Sequence, residues 1–109
     1  MLLKNIMKEN NFQVEIQGNT LKFSDTALEQ LLATPKDRII LEYGVFDKTL
    51  VPIVSCVKEG SFWGSKLTNK KTISLKGSVR SNLESFGTKF ILEYYDFPNV
   101  FKLIKYVHT

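Results

Sequence analysis

The chain has 109 residues, of which 43% are hydrophobic and 24% charged, a composition that is typical of one globular domain and excludes a disordered or fibrous chain. A single cysteine, Cys56, excludes an internal disulfide framework and favours a reducing, cytoplasmic compartment. No apolar run approaches the roughly 20 residues that cross a bilayer, so we expect a soluble protein that does not enter a membrane.

The first elements along the chain are predicted to be a hairpin and a short helix. Residues 12–16 and 21–23 alternate apolar and polar side chains, which is typical of strands, and Gly18 with Asn19 between them indicates a tight turn. Capping residues then precede an apolar stripe with helical spacing. Because Pro35 follows this stripe, the helix can be only two to three turns long.

Two longer strands are predicted to end the first half of the chain. Residues 38–43 and 50–57 are rich in β-branched and aromatic side chains, which favours extended structure. Proline cannot donate a hydrogen bond to a sheet ladder. Pro52 therefore predicts that the second of these strands lies at a sheet edge or contains a bulge.

The second half of the chain repeats this order of elements. Residues 20–57 align with residues 72–108 with a single gap, and eight of the 37 aligned pairs are identical. The longest shared run is Ile-Leu-Glu-Tyr, at residues 40–43 and 91–94. The turns and helix ends also agree between the halves, which favours an internal duplication over chance similarity.

Two short helices cannot cover eight strands, so the strands must bury one face among themselves. The sequence therefore predicts a β-rich α+β fold, a small barrel or two packed sheets, made of two strand-strand-helix-strand-strand repeats related by a pseudo-twofold axis. We expect residues 1–109 to form one domain, with repeats at about 12–57 and 62–108 and a basic connector at about 58–71.

The unit from Gly18 through the first helix to residues 37–41 resembles the swapped-hairpin barrels of AbrB-type DNA-binding proteins. Duplicated units with a short helix between strands are also similar to one domain of a sliding clamp. Both resemblances are limited to topology and imply a compact barrel without identifying a family.

The chain offers little chemistry for catalysis. His108 is the only histidine, and Cys56 falls one position out of step with it in the repeat alignment, so their side chains are expected to point to opposite faces. We interpret Cys56 as a small buried hydrophobic residue. No phosphate-binding loop, dinucleotide motif or cluster with metal-ligand spacing is present in the sequence. We therefore predict no enzyme, no catalytic residues, no metal and no cofactor.

Positive charge is concentrated in the middle of the chain. Residues 58–80 hold six basic side chains against one acidic, residues 1–57 hold six against seven, and residues 81–109 hold three of each. The central segment also contains Phe62 and the only tryptophan, Trp63, between two glycines. Basic groups beside aromatic rings are typical of surfaces that bind single-stranded nucleic acid.

These features lead to the hypothesis of a non-enzymatic binding protein of nucleic-acid machinery that contacts DNA or RNA phosphates through the connector. The predicted contact residues are Lys58, Phe62, Trp63, Lys66, Lys70, Lys71, Lys76 and Arg80. The alternative is a small adaptor or inhibitor that docks on an acidic surface of a larger protein, such as a nucleic-acid enzyme. A further alternative places Phe62 and Trp63 in the core and leaves the connector a solvated linker. Open strand edges would also allow a homodimer.

Overall fold

A computed structural model describes residues 12–58, 62–96 and 99–107. In this part of the chain the order of elements is β1–β2–α1–β3–β4 followed by β5–β6–α2–β7–β8. The strands are β1 (Val14–Gln17), β2 (Thr20–Phe23), β3 (Arg38–Phe46), β4 (Thr49–Val57), β5 (Ser65–Lys66), β6 (Thr72–Ser74), β7 (Lys89–Asp96) and β8 (Val100–Lys105), and the helices are α1 (Asp25–Leu31) and α2 (Gly77–Glu84).

All of these strands belong to one antiparallel sheet with the order β5–β3–β4–β8–β7–β1–β2–β6. The sheet curls into a nearly closed barrel, with β5 and β6 at its two ends. This arrangement confirms the predicted small, β-rich barrel of the α+β class. Closure removes most of the exposed edge that a flat sheet would leave.

The core lies inside the barrel and under the helices. It comprises Val14, Ile16, Leu21, Phe23, Ala27, Leu28, Leu31, Ala33, Ile39, Val54, Leu67, Ile73, Leu75, Leu83, Phe90, Leu92, Phe101 and Leu103. Along β1 and β2 the buried positions alternate with less buried ones, as the period of two in a strand requires. The aligned residues Leu31 and Leu83 are both fully buried, so their predicted place in the core is confirmed.

The two helices are anchored unequally. α1 begins after Ser24, whose hydroxyl accepts the Ala27 N–H at 3.1 Å, and this cap satisfies one of the open donors of the first turn. Its buried residues are Ala27, Leu28 and Leu31. α2 begins after Lys76 without a side-chain cap, and its buried residue is Leu83. Neither helix in the described ranges is long and apolar enough to cross a membrane.

Pro52 lies neither on an edge strand nor at a bulge in the β3–β4 ladder, so the prediction of an edge or a bulge is wrong. β4 lies between β3 and β8, and Pro52 is opposite Tyr43 of β3. The β4–β8 ladder, however, covers only residues 53–55 of β4. Pro52 lies just beyond this ladder, where a missing N–H removes no bond to β8.

Candidate functional site

The β5–β6 hairpin begins within the basic connector, and its two strands form no ladder with each other. β5 pairs with β3 and β6 pairs with β2, but β5 and β6 are the two ends of the sheet. The hairpin is held together at its turn, where the Thr68 N–H donates to the Thr72 carbonyl at 3.0 Å and the two hydroxyl oxygens lie 2.8 Å apart. Between this turn and the far ends of the strands, the barrel wall is open.

The opening holds two adjoining cavities, which together we call the β5–β6 groove. The basic end has a volume of about 470 Å³ and is lined by Gly64, Ser65, Lys66, Ser74, Lys76 and Val79. The β3 end, about 360 Å³, shares four of these residues and is completed by residues 39–42 of β3, which include Glu42, together with Ile73 and Leu75. The groove therefore has one end bearing ammonium groups and one end where apolar side chains lie beside a carboxylate and two serine hydroxyls.

Two exposed aromatic side chains precede the groove. Phe62 is 94% exposed and Trp63 is 74% exposed, so the alternative that placed them in the core is wrong. Gly64 follows with a φ of +84°, and a β-carbon there would lie 2.7 Å from the Ile39 carbonyl oxygen. Only glycine lets the chain pass this close to β3. Phe62 and Trp63 thus stay largely in solvent beside the groove, as a stacking surface requires.

Three of the six predicted basic residues are exposed at or near the groove. Lys66 and Lys76 line its basic end, and Lys70 is exposed in the β5–β6 turn. Lys66 lies opposite Arg38 in the β5–β3 pair, while the Arg38 Nη1 donates to the Gly64 carbonyl at 2.9 Å. This end of the barrel therefore concentrates positive charge, which favours an anionic partner.

Lys58 has a structural role instead. Its Nζ lies 3.2 Å from Oδ2 of the buried Asp37 and also donates to the Leu32 carbonyl. Burial raises the pKa of Asp37, but hydrogen bonds from the Thr34 N–H, the Lys58 ammonium and the Thr34 hydroxyl, together with the Lys58 charge, outweigh it and leave the pKa below its usual value. Lys58 therefore compensates a buried carboxylate.

Lys71 and Arg80 also bind other parts of the barrel. The Lys71 ammonium forms an ion pair with Asp25 at the start of α1. Arg80 donates from Nε to the Gly18 carbonyl at 2.6 Å and from Nη1 to Glu84 at 3.0 Å. These contacts attach α2 and the β5–β6 turn to the first half of the chain. Of the eight predicted contact residues, Phe62, Trp63, Lys66, Lys70 and Lys76 lie at or near the groove, while Lys58, Lys71 and Arg80 bind other parts of the barrel.

The sequence did not identify the uncharged residues that line the groove, among them Ser65, Ser74 and Val79. The strand register shows a difference that the sequence alignment did not reveal. β5 occupies against β3 the position that β1 occupies against β7, with Ser65 opposite Ile39 and Val14 opposite Phe90. A small polar residue at the position of a buried valine predicts a local loss of packing.

Cys56 is partly buried and packs against the core. Burial, and then the charge of nearby Asp37, raise the pKa of the Cys56 thiol, against a smaller opposing effect of Lys58. A thiol held in its protonated form is a poor nucleophile, which agrees with its interpretation as a small hydrophobic residue. His108 lies outside the described residues. Within the described ranges, no group of three His, Cys, Asp or Glu side chains could hold a metal ion.

No protein-family model matches the chain, no curated protein is significantly similar to it, and no solved structure matches its fold. The residues of the groove are therefore the basis for inferring a function.

Proposed function

We propose that this is a non-enzymatic binding protein of nucleic-acid machinery and that it contacts DNA or RNA at the β5–β6 groove. One observation carries the proposal: Phe62 and Trp63 are exposed directly beside a cavity lined by Lys66 and Lys76. Lysine ammonium groups bind phosphates, and exposed rings accept stacked bases. Adjacent exposed aromatic side chains are also typical of surfaces that meet a ligand or a partner.

The proposal is tested by the affinity of the intact protein for a labelled mixed-sequence oligonucleotide at several salt concentrations. Each bound phosphate releases condensed counterion, so Lys66→Glu with Lys76→Glu should weaken binding and reduce the salt slope by about 0.7 to 0.9 logarithmic units for each phosphate that the variant no longer binds. A matched control is Lys48→Glu with Lys105→Glu, which changes the net charge equally at exposed positions in the β3–β4 turn and on β8.

Wild-type affinity no tighter than about millimolar at low salt, for both single and double strands, would reject nucleic acid as the partner. The alternative of an adaptor or inhibitor on an acidic protein surface would then stand, because the same lysines suit a carboxylate-rich partner. In that case the charge reversal should mainly slow association with the acidic protein.

We also propose that the barrel consists of two repeats, as the sequence alignment predicts. Exchanging the two halves converts every strand pair except β1–β2 into another observed pair, since β1–β7 becomes β5–β3, β3–β4 becomes β7–β8, and β2–β6 and β4–β8 become themselves. The exception is the hairpin β5–β6, which has no ladder. Hydrogen bonds outside the ladders support this. The Ile16 N–H donates to the Thr88 carbonyl at 2.9 Å, and the Leu67 N–H donates to the Asp37 carbonyl at 2.8 Å.

A second pair of bonds follows the same exchange. The Phe23 N–H donates to the Lys71 carbonyl at 2.9 Å, and the Leu75 N–H donates to the Asn19 carbonyl at 2.8 Å. An experimental structure tests the proposal by superposition of the halves, for which we expect one rotation of about 180°. Different strand orders in the two halves would refute it.

The homodimer stays a prediction. The outer edge of β3 pairs with β5 only at Arg38 and Ile39, so the rest of that edge is open among the described residues and is available for pairing between chains. Light scattering of the purified protein measures the oligomeric state.

A further inference from the structure

The β5–β6 groove combines two chemistries in one continuous depression. Its basic end contains Lys66 and Lys76, and its β3 end is lined by the apolar side chains of Ile40, Leu41 and Val79 and by the carboxylate of Glu42. The two ends share the hydroxyl-bearing residues Ser65 and Ser74. A ligand that fills the groove must therefore present an anionic group and, a few ångströms away, a group that has both apolar faces and hydrogen-bonding edges.

The corresponding place in the first half of the barrel is filled by the chain itself. There Gln13 continues along the edge of β7, accepting the Leu92 N–H at its side-chain oxygen at 3.0 Å and donating its own N–H to the Phe90 carbonyl at 2.8 Å. At the matching position beside β3 stands Gly64, which has no side chain to make such a contact. The β3 end of the groove therefore lacks the side-chain contact that Gln13 makes in the first half.

A nucleotide unit matches the combination. Its phosphate is the anion that two lysines bind, and its base is a flat apolar ring with polar edges for serine hydroxyls. Trp63, one residue before the groove and 74% exposed, can stack the neighbouring base. In a duplex both faces of every base are already stacked and the edges are paired, so a base would first have to leave the helix.

We propose that the β5–β6 groove selects single-stranded nucleic acid by inserting one base between β3 and β6 while Lys66 and Lys76 hold the adjacent phosphate. This inference rests on the proposed function and adds the form of nucleic acid and the placement of one base. Trp63 stacks the next base of the strand outside the groove.

The test compares three probes of equal length, about 12 nucleotides: a single strand, the same sequence as a duplex, and a single strand with abasic central positions. We expect the single strand to bind at least about tenfold more tightly than the other two and to quench the Trp63 fluorescence. The two weaker probes should bind with similar affinity, because both retain only the phosphate contacts.

The variant Ser65→Val places a larger apolar side chain in the groove, like Val14 at the matching position of β1. It should lower single-strand affinity to the level of the duplex and leave duplex affinity unchanged. Circular dichroism and thermal melting show whether this variant folds. If it does not, Ser74→Val at an exposed position of β6 fills the same groove and replaces it in the test.

Equal affinity for all three probes, still abolished by Lys66→Glu with Lys76→Glu, would overturn base insertion and leave the proposed function in place. A poly-glutamate peptide that competes as well as the single strand would also overturn it, since the groove would then bind negative charge of any kind. Absence of binding to every oligonucleotide would remove the proposed function as well.

Discussion

The hairpins β1–β2 and β5–β6 occupy corresponding positions in the two halves of the chain and lie side by side through the β2–β6 ladder, yet only the first has a ladder between its own strands. In the first, Val14 lies opposite Phe23 and both are fully buried. In the second, the half-buried Ser65 and the buried Leu75 line a cavity instead. The side chains of Ser65 and Leu75 are smaller than those of Val14 and Phe23 at the corresponding positions, so they fill less of the space between their strands.

The two helices also differ in how many side chains they bury against the barrel. α1 covers the barrel with three buried side chains, whereas α2 buries Leu83 and leaves Val79 42% exposed on the groove wall. Arg80 then attaches α2 to the first hairpin through the Gly18 carbonyl. The second half of the chain thus depends on fewer buried side chains to hold its helix. We expect the largest changes in stability when the buried leucines of the helices are truncated.

Truncation of the helix anchors should have the largest effect on stability. Leu83→Ala removes the buried anchor of α2 and should cost about 2–5 kcal/mol in the free energy of unfolding. Leu31→Ala should cost a similar amount within that range, because Leu31 is also fully buried. Urea denaturation monitored by circular dichroism measures both. An unchanged midpoint for Leu83→Ala would show that α2 does not depend on this side chain.

The second-largest effect on stability is expected when the residues that distinguish the two hairpins are exchanged. Val14→Ser buries a hydroxyl in a fully packed site and should destabilise the protein by about 2–3 kcal/mol. Ser65→Val adds apolar contacts in an open site and should change stability by less than about 1 kcal/mol. Thermal melting of the two variants tests this asymmetry. Equal losses would mean that the second hairpin is as tightly packed as the first.

The carboxylate of Asp37 should make stability depend on pH. Its pKa is lowered in the folded state, so its contribution is present above the unfolded value of about 3.9 and is lost as pH falls through the lower folded value. Asp37→Asn should cost about 1–3 kcal/mol at pH 7 and flatten this acid dependence. Asp47→Asn in the exposed β3–β4 turn is the matched control, and a wild-type acid dependence retained in Asp37→Asn would contradict the assignment.

The smallest effect is expected for the exposed aromatic side chains. Trp63→Ala should change stability by no more than about 0.5 kcal/mol, while Phe12→Ala should cost roughly 1 kcal/mol. The Phe12 ring lies 5.8 Å from the Tyr106 ring and 4.8 Å from the Lys89 ammonium. The wild-type Trp63 emission should be red-shifted and accessible to acrylamide. Blue-shifted, protected emission would place Trp63 in the core after all.

The amino-acid pattern was sufficient to predict the order of elements, the β-rich α+β class and the two core leucines Leu31 and Leu83, while it left a barrel and two packed sheets as alternatives. Hydrophobic alternation, helix caps and prolines act over a few residues, so they are readable without the fold. The run 58–80 also revealed where positive charge is concentrated. It did not reveal which of those charges bind other parts of the barrel.

The contacts of these charged side chains become visible only in the tertiary structure, because the partners of a charged side chain can lie far away in sequence. Lys58 meets Asp37, Lys71 meets Asp25 and Arg80 meets Gly18, in each case across the barrel or between elements. The position of Pro52 was likewise set by how far the neighbouring ladder extends, which no local pattern encodes. The groove lies where the two ends of the sheet, β5 and β6, meet without a ladder, and this meeting is a property of the whole barrel.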